Sequence, residues 1–222
     1  MTRPATPQQA LADGVAALSL SVSAEQQSQL LELIALLAKW SRAYNLTAIT
    51  DQHEMVSKHL LDSLSIAPFV QGTRALDVGT GAGFPGLPLA IIQPDRDWVL
   101  LDSNAKKLRF IDHVTLTLGI HNVSTVHARA ESYAAEHAFD TVVCRAFTAL
   151  DRFAAMAQHL LASDGLLLAM KGRAETETFD DPAQQWSVEN HPLVVPLLDE
   201  ERHLIALRRH RPVPVYDEQR MT

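Results

Sequence analysis

Cysteine is nearly absent: the 222-residue chain has one, Cys144. That excludes an internal disulfide and a cysteine-rich zinc site. No apolar run approaches the ~20 residues of a membrane span. The N-terminus lacks a basic region followed by a compact apolar stretch, so no secretory signal is read there. These absences lead us to expect a soluble, cytoplasmic protein. An excess of positive charge is also missing. Lys and Arg total 19 against 26 Asp and Glu, for a net charge of −7. Bulk charge therefore cannot coat nucleic acid, and only a local basic patch could do so. The ten His residues show no paired metal-ligand spacing, so no metal is expected. What is present suits a packed α/β domain: 47% hydrophobic residues against 20% charged.

Glycine is sparse too, with nine in the chain, yet positions 79, 81, 83 and 86 fall within one stretch, LDVGTGAGFPGLPLA (76–90). Such a loop admits a ligand to bare backbone. A phosphate loop would need a Lys after the glycines, and none is there. Gly81-Ala82-Gly83-Phe84-Pro85-Gly86 matches the dinucleotide fingerprint literally, with Asp102 at a suitable distance. Asp77-Val78-Gly79-Thr80-Gly81-Ala82-Gly83 also reads as D-x-G-x-G-x-G, with the acid still in the strand. That pattern resembles the first motif of S-adenosylmethionine-dependent methyltransferases, whose cofactor ends in an ammonium and a carboxylate. Asp77 could take part in holding the ammonium, directly or through water. Helix N-terminal amides favour a carboxylate, and Asp102 could accept both ribose hydroxyls. A tight turn with no ligand is the plain alternative.

Residues 1–20 are weakly patterned, and a loose start is expected. Ser23 and Gln26 have the spacing of a capping box, and Leu30, Leu33, Ile34, Leu37 and Trp40 recur at helical intervals. A second helix is expected from Asp51 to Ala67, burying Val56, Leu60, Leu61 and Leu64. Pro68 and Gly72 mark a boundary. The reading is a helical cap (1–70), a methyltransferase-like domain (71–212) and a tail (213–222). Strands are expected at 74–78, 97–102, 123–128, 140–146 and 166–171. Helices fall between them, at 104–118 and 150–161 and after Pro85. Two further runs, 191–197 and 202–208, could pair as an antiparallel hairpin. This alternation indicates a doubly wound, mostly parallel, Rossmann-like sheet.

LDVGTGAGFPGLPLAI, LLDSNAKKLRF, YNLTAIT and HLLDSL together resemble the bacterial glucose-inhibited division protein B family, over roughly residues 25 to 210. The resemblance implies a class I fold and the cofactor S-adenosyl-L-methionine. It also implies methyl transfer to guanine N7 of 16S ribosomal RNA, in the decoding region of the small ribosomal subunit. With the motif residues Asp77, Gly81 and Gly83 read above, it places Gly79, Phe84, Asp102, Ala130, Glu131 and Arg145 about the cofactor. It places Arg145 and Lys171 at the transfer site, and Lys106, Arg129, Lys171 and Arg202 on a basic substrate face. The family pattern leads one to expect a Pro-Gly turn before the last strand. This chain has Asp199-Glu200-Glu201 before Arg202 instead.

Lys106, Lys107, Arg129, Arg145, Lys171 and Arg173 all fall at or just beyond strand ends. That would gather them on one side of an acidic protein, where RNA phosphates could be met. A solvated rim is the plain reading for Lys107 and Arg173. The run Arg208 to Arg211 reads equally as a nucleic-acid contact or a solvated end. Cys144 lies in an apolar strand, where packing is expected. His59, Asn45 and Thr47 could serve the cap or the site. No stripe demands a dimer, so a monomer is expected. A nicotinamide-dependent oxidoreductase, a non-catalytic ribosome-binding protein and, nearer, a methyltransferase of a small molecule or protein remain as alternatives at this point.

Overall fold

The computed structural model describes residues 6–145, 149–172, 179, 181 and 185–210. Arg173, Arg211 and the expected tail lie outside them. Seven strands form one sheet in the order β3-β2-β1-β4-β5-β7-β6. β1 (Arg74–Val78), β2 (Asp97–Asp102), β3 (Val123–His127), β4 (Phe139–Arg145) and β5 (Leu161–Lys171) run parallel. β7 (Arg202–Arg209) joins β5 antiparallel, and β6 (Trp186–Leu193) pairs with β7 as the outer edge. The expected doubly wound sheet closing in a hairpin is therefore found.

The inner strands β1, β2, β4, β5 and β7 are apolar on both faces over their buried stretches because each face carries its own layer. Ala75, Trp98, Leu100, Val143, Leu168 and Leu204 point one way, into a core shared with α2 (Ala24–Tyr44), α5 (Gly86–Ile92) and α6 (Ala105–Leu118). Leu76, Leu101, Val142, Cys144, Leu167 and Leu207 point the other way, onto α7 (Leu150–Ala157). The period-two alternation of strand side chains produces this division. Cys144 packs in the second core, as expected, and burial pushes its thiol well above the usual range.

Several elements depart from the sequence reading, and β5 already begins at Leu161, where the end of a helix was expected. The expected loose start is a helix, α1 (Pro7–Ala17). Thr6 caps it by accepting from the Gln9 amide, and Pro7 fills the first turn, where no amide partner is needed. Its small residues carry a weak pattern, but Leu11 and Val15 are buried, and Gly14 lies against the Leu61 side chain. The last hairpin is shifted. β6 begins at Trp186 and ends at Leu193, so Val194 to Leu197 leave the strand. Leu197 has a positive φ of 62°, which ordinary strand geometry does not allow.

The Ser23–Gln26 capping box is present on α2. The helix expected from Asp51 is found in pieces. α3 (Gln52–Met55), capped by Asp51, leads into a π-helical turn (Val56–Leu61) and then α4 (Asp62–Leu64). A π turn inserts one extra residue per turn and so re-aims the side chains beyond it. Here the apolar side chains point into the protein together with polar ones, among them His59 in the turn and Asp62 just beyond it.

Candidate functional site

The glycine loop sits where β1 ends. It is pinned to the neighbouring strand, with Gly79 and Thr80 both donating to the Leu101 carbonyl at 2.8 and 3.0 Å. Gly79 and Gly81 have φ of +68° and +62°, a region that favours glycine. A Cβ at Gly79 would meet nothing within 4 Å, and one at Gly81 only the Gly79 carbonyl and the Lys107 ammonium at its margin. Their bare sides thus face open space. Gly83 and Gly86 serve packing instead. A Cβ at Gly83 would strike Leu87 at 2.4 Å, and one at Gly86 would strike Leu100 at 2.1 Å.

Asp77 is wholly buried beneath this loop. Its Oδ2 accepts from the Thr80 hydroxyl at 2.7 Å and the Gly86 amide at 2.9 Å. Burial raises its carboxyl to about 6, against those hydrogen bonds and the Arg145 charge. Asp77 therefore braces the loop from below. The Gly86 amide, opening α5, is used by Asp77, and Leu87 donates to the Gly83 carbonyl. Contrary to the expectation from sequence, these first helical amides are thus not turned toward a ligand carboxylate. Asp102 ends β2 with both oxygens engaged, Oδ2 by the Gly81 amide at 2.9 Å and Oδ1 by the Asn104 amide at 2.8 Å. Each oxygen keeps a second lone pair for a hydroxyl donor. Lys107, expected on a solvated rim, lies 3.8 Å from Asp102.

Above the loop is a cavity of about 260 Å³, lined by Thr47, His59, Gly79, Gly81, Phe84 and Arg145 among others. A second, of about 400 Å³, is lined by Lys58, His59, Asp62, Arg145, Lys171 and Arg202 among others. His59 and Arg145 belong to both, so they form the wall between them. The His59 ring stacks on Phe84 at 4.8 Å, and its Nε2 lies 2.9 Å from the Thr47 hydroxyl. The Arg145 guanidinium lies 5.5 Å from the Phe84 ring centre. Burial, then the Arg145 charge, lowers His59 to about 4, so the imidazole is neutral at physiological pH.

Asp62 was missed by sequence reasoning, although it stands in HLLDSL. An acid within an apolar helical run, three residues after His59, was the available signal. Its carboxylate is 6% exposed and joins two strands. Oδ1 accepts from Arg202 Nε at 3.0 Å, and Oδ2 lies 3.7 Å from Arg145. Burial raises the Asp62 carboxyl, and both arginines oppose that rise. Glu200 extends the chain of charges, accepting from Arg202 at 2.8 Å and lying 3.4 Å from Lys58. The acidic segment that replaces the expected Pro-Gly turn therefore fixes Arg202 in place.

The other basic positions fall at the same sheet edge but further out. Lys106 is exposed at the start of α6, and Arg129 is exposed after β3. Ala130 is buried and Glu131 exposed in a single 3-10 turn, Ala130–Ser132. Lys171 ends β5 and lines the larger cavity. Arg208 and Arg209 lie at the opposite edge, because β7 runs antiparallel. Arg208 donates to the Asp164 carbonyl and to Gln71, and Arg209 donates to Gln158.

A model of the GidB family, described as rRNA small subunit methyltransferase G, matches residues 26–205. The chain belongs to this family. Ribosomal RNA small subunit methyltransferase G of Marinobacter nauticus is 49% identical over 210 residues, covering 94% of this chain and 98% of that one. The Pseudomonas syringae protein of the same name is 46% identical, covering 94% and 99%. Among solved structures, an S-adenosylmethionine-dependent O-methyltransferase from Thermotoga maritima aligns with a TM-score of 0.54 at 14% identity. It covers 68% of this chain and 66% of that one, a likeness of fold alone. As a GidB family member the protein is an S-adenosylmethionine-dependent methyltransferase of ribosomal RNA. The oxidoreductase and non-catalytic readings are thereby set aside. The open glycine backbone at 79 and 81 and the Asp102 carboxylate fit that cofactor, which needs close backbone approach and a hydroxyl acceptor.

No helix among the described residues is long and apolar enough to cross a membrane.

Proposed function

We propose that the protein methylates N7 of a guanine in 16S ribosomal RNA, in the decoding region of the small subunit, as a cytoplasmic monomer. In this reading residues 1–70 form the helical cap that supplies His59 and Asp62. Residues 71–212 hold the cofactor through Gly79, Gly81, Phe84, Asp102, Ala130, Glu131 and Arg145. Asp77 and Gly83 act from beneath, by shaping the loop. The smaller cavity takes the methionine end of the cofactor and the larger one the guanine. Lys106, Arg129, Lys171 and Arg202 meet the RNA.

The observation that carries this reading is the common wall of His59 and Arg145 between a glycine-backed cavity and an arginine-lined one. S-adenosylmethionine supplies an electrophilic methyl group on a sulfonium. Guanine N7 presents a lone pair on its major-groove edge and needs no base to expose it. The site suits such an acceptor. Asp62 is held by two arginines and Asp77 is enclosed, so neither is placed to take a proton from substrate. Positioning of two reactants can contribute several kcal/mol, up to roughly 7–11. A guanine within a stack would have to turn out to enter. Arg145 and Lys171 are suited to hold O6 or phosphate, since a bare cation beside N7 would oppose the charge that develops there.

Labelled methyl transfer to small-subunit RNA, naked and as ribonucleoprotein, tests this reading. Label on guanine N7 is expected. Label on another atom, or none while cofactor binds, would defeat the substrate assignment. Arg145→Ala should lower turnover at least tenfold with the fold intact, and unchanged turnover would remove Arg145 from the site.

A further inference from the structure

The larger cavity gathers Lys58, Arg145, Lys171 and Arg202, yet the reaction this family performs begins with a cationic sulfonium. Four positive side chains at the acceptor side of the wall would repel that cofactor. Three features reduce the charge. His59, on the wall itself, is held neutral by burial. Asp62 lies against both Arg145 and Arg202. Glu200 lies against both Arg202 and Lys58. The acids are not disposed alike. Asp62 is buried, whereas Glu200 is 53% exposed at the rim. Coulombic effects are screened far less at a buried position than at an exposed one. Asp77 also acts on Arg145 from beneath the loop, but of the two acids that pair directly with these cations Asp62 should dominate the potential on the wall.

We infer that Asp62 is an electrostatic positioning residue: it orients Arg145 and cancels the excess positive charge at the wall, so that the site accepts a sulfonium cofactor over its neutral thioether product. This rests on the S-adenosylmethionine reading of the family. Asp62 lines the acceptor cavity and not the smaller one, so it acts on the cofactor only through Arg145 and Arg202. A purely structural Asp62 would affect both forms of the cofactor equally. An electrostatic Asp62 affects only the charged one. The same residue then favours release of S-adenosylhomocysteine after transfer, because the spent cofactor no longer carries the charge that Asp62 offsets.

The experiment is calorimetric titration of the full-length protein with S-adenosylmethionine and, separately, with S-adenosylhomocysteine. The quantity read is the ratio of the two affinities. Asp62→Asn keeps the shape and an acceptor for Arg202 but removes the charge. It should lower that ratio by about tenfold, the order expected for one unit charge acting across a partly buried site. Asp62→Glu, which restores the charge, should recover most of the ratio. Glu200→Gln, at an exposed position, should lower the ratio by a smaller factor. Arg202→Gln should raise it. Equal losses for both ligands in Asp62→Asn would overturn the inference. Should that variant fail to fold, unchanged ratios in both Glu200→Gln and Arg202→Gln would overturn it equally. Wild-type protein that binds neither ligand would instead defeat the cofactor reading beneath it.

Discussion

At the scale of single residues, the four glycines of the loop divide by what their missing side chains make room for. Gly86 admits Leu100 and the Asp77 carboxylate, whereas Gly79 opens onto empty space. Gly86→Ala should therefore destabilise the protein by roughly 1–3 kcal/mol through overpacking. Gly79→Ala meets no neighbour but forces a positive φ and fills ligand space. It should cost about 1 kcal/mol of stability and lose most cofactor affinity. Thermal unfolding and cofactor titration of both variants check the contrast. A Gly79→Ala protein that binds cofactor normally would contradict it.

Two buried groups in the site titrate in opposite senses. Asp77 is raised to about 6, so folding holds its proton more tightly than the unfolded chain does. Its contribution to stability is present at low pH and is lost as pH rises through about 6. His59 is lowered to about 4 from its ordinary value of 6.5. Its contribution is present above 6.5 and is lost as pH falls through about 4. Each is worth about 3 kcal/mol at full effect, and they offset one another between pH 4 and 6. Asp77→Asn removes one side of the balance. Its melting temperature should fall more steeply than wild type between pH 6.5 and 4. Parallel slopes for the two proteins would show that Asp77 titrates normally.

Periodicity and capping chemistry made most elements readable at their own scale. Strands β1, β2 and β4 and the second half of β5 announced themselves because their apolar runs are buried on both faces, whereas the polar start of β5, Leu161 to Asp164, gave no strand signal. β6 was misplaced because WSVENHPL is a polar edge strand, paired only through β7. The π turn left no periodic trace, since one inserted residue shifts the pattern by less than a short apolar run can reveal. What does mark the entry to that turn is Asp51, which accepts from the His53 and Glu54 amides at 2.7 and 3.1 Å. Asp51→Ala should cost about 1 kcal/mol and lower the melting point by roughly 2–4 °C. An unchanged melting point would mean that this cap contributes nothing. The network around Asp62 was illegible for a different reason. It joins residues 58, 62, 145, 200 and 202, drawn from three separate segments, and only the fold brings these together.

Across the whole molecule, the two edges of the sheet carry basic residues to different ends. The edge bearing Lys106, Arg129 and Lys171 is where the parallel strands terminate, the usual ligand side of such sheets. Arg208 and Arg209 sit at the other edge and are committed to internal hydrogen bonds. Salt titration of RNA binding should separate them. Lys171→Ala should reduce the logarithmic salt slope by about one. An Arg208→Ala/Arg209→Ala protein should keep the slope and lose some stability. A slope that falls equally in both proteins would place RNA contacts at both edges. A net charge of −7 is compatible with this arrangement because screening confines each edge to its own neighbourhood.

The contact between Gly14 and Leu61 gives the N-terminal helix a lever on chemistry it never touches. A methyl group added at residue 14 would lie 2.3 Å from a Leu61 terminal carbon, so one of them must move. Leu61 closes the π turn, and Asp62 is the next residue. Displacement there reaches the carboxylate that holds Arg145 and Arg202. A methyl group at residue 14 is therefore expected to be felt in methyl transfer as well as in folding, at a distance from any ligand.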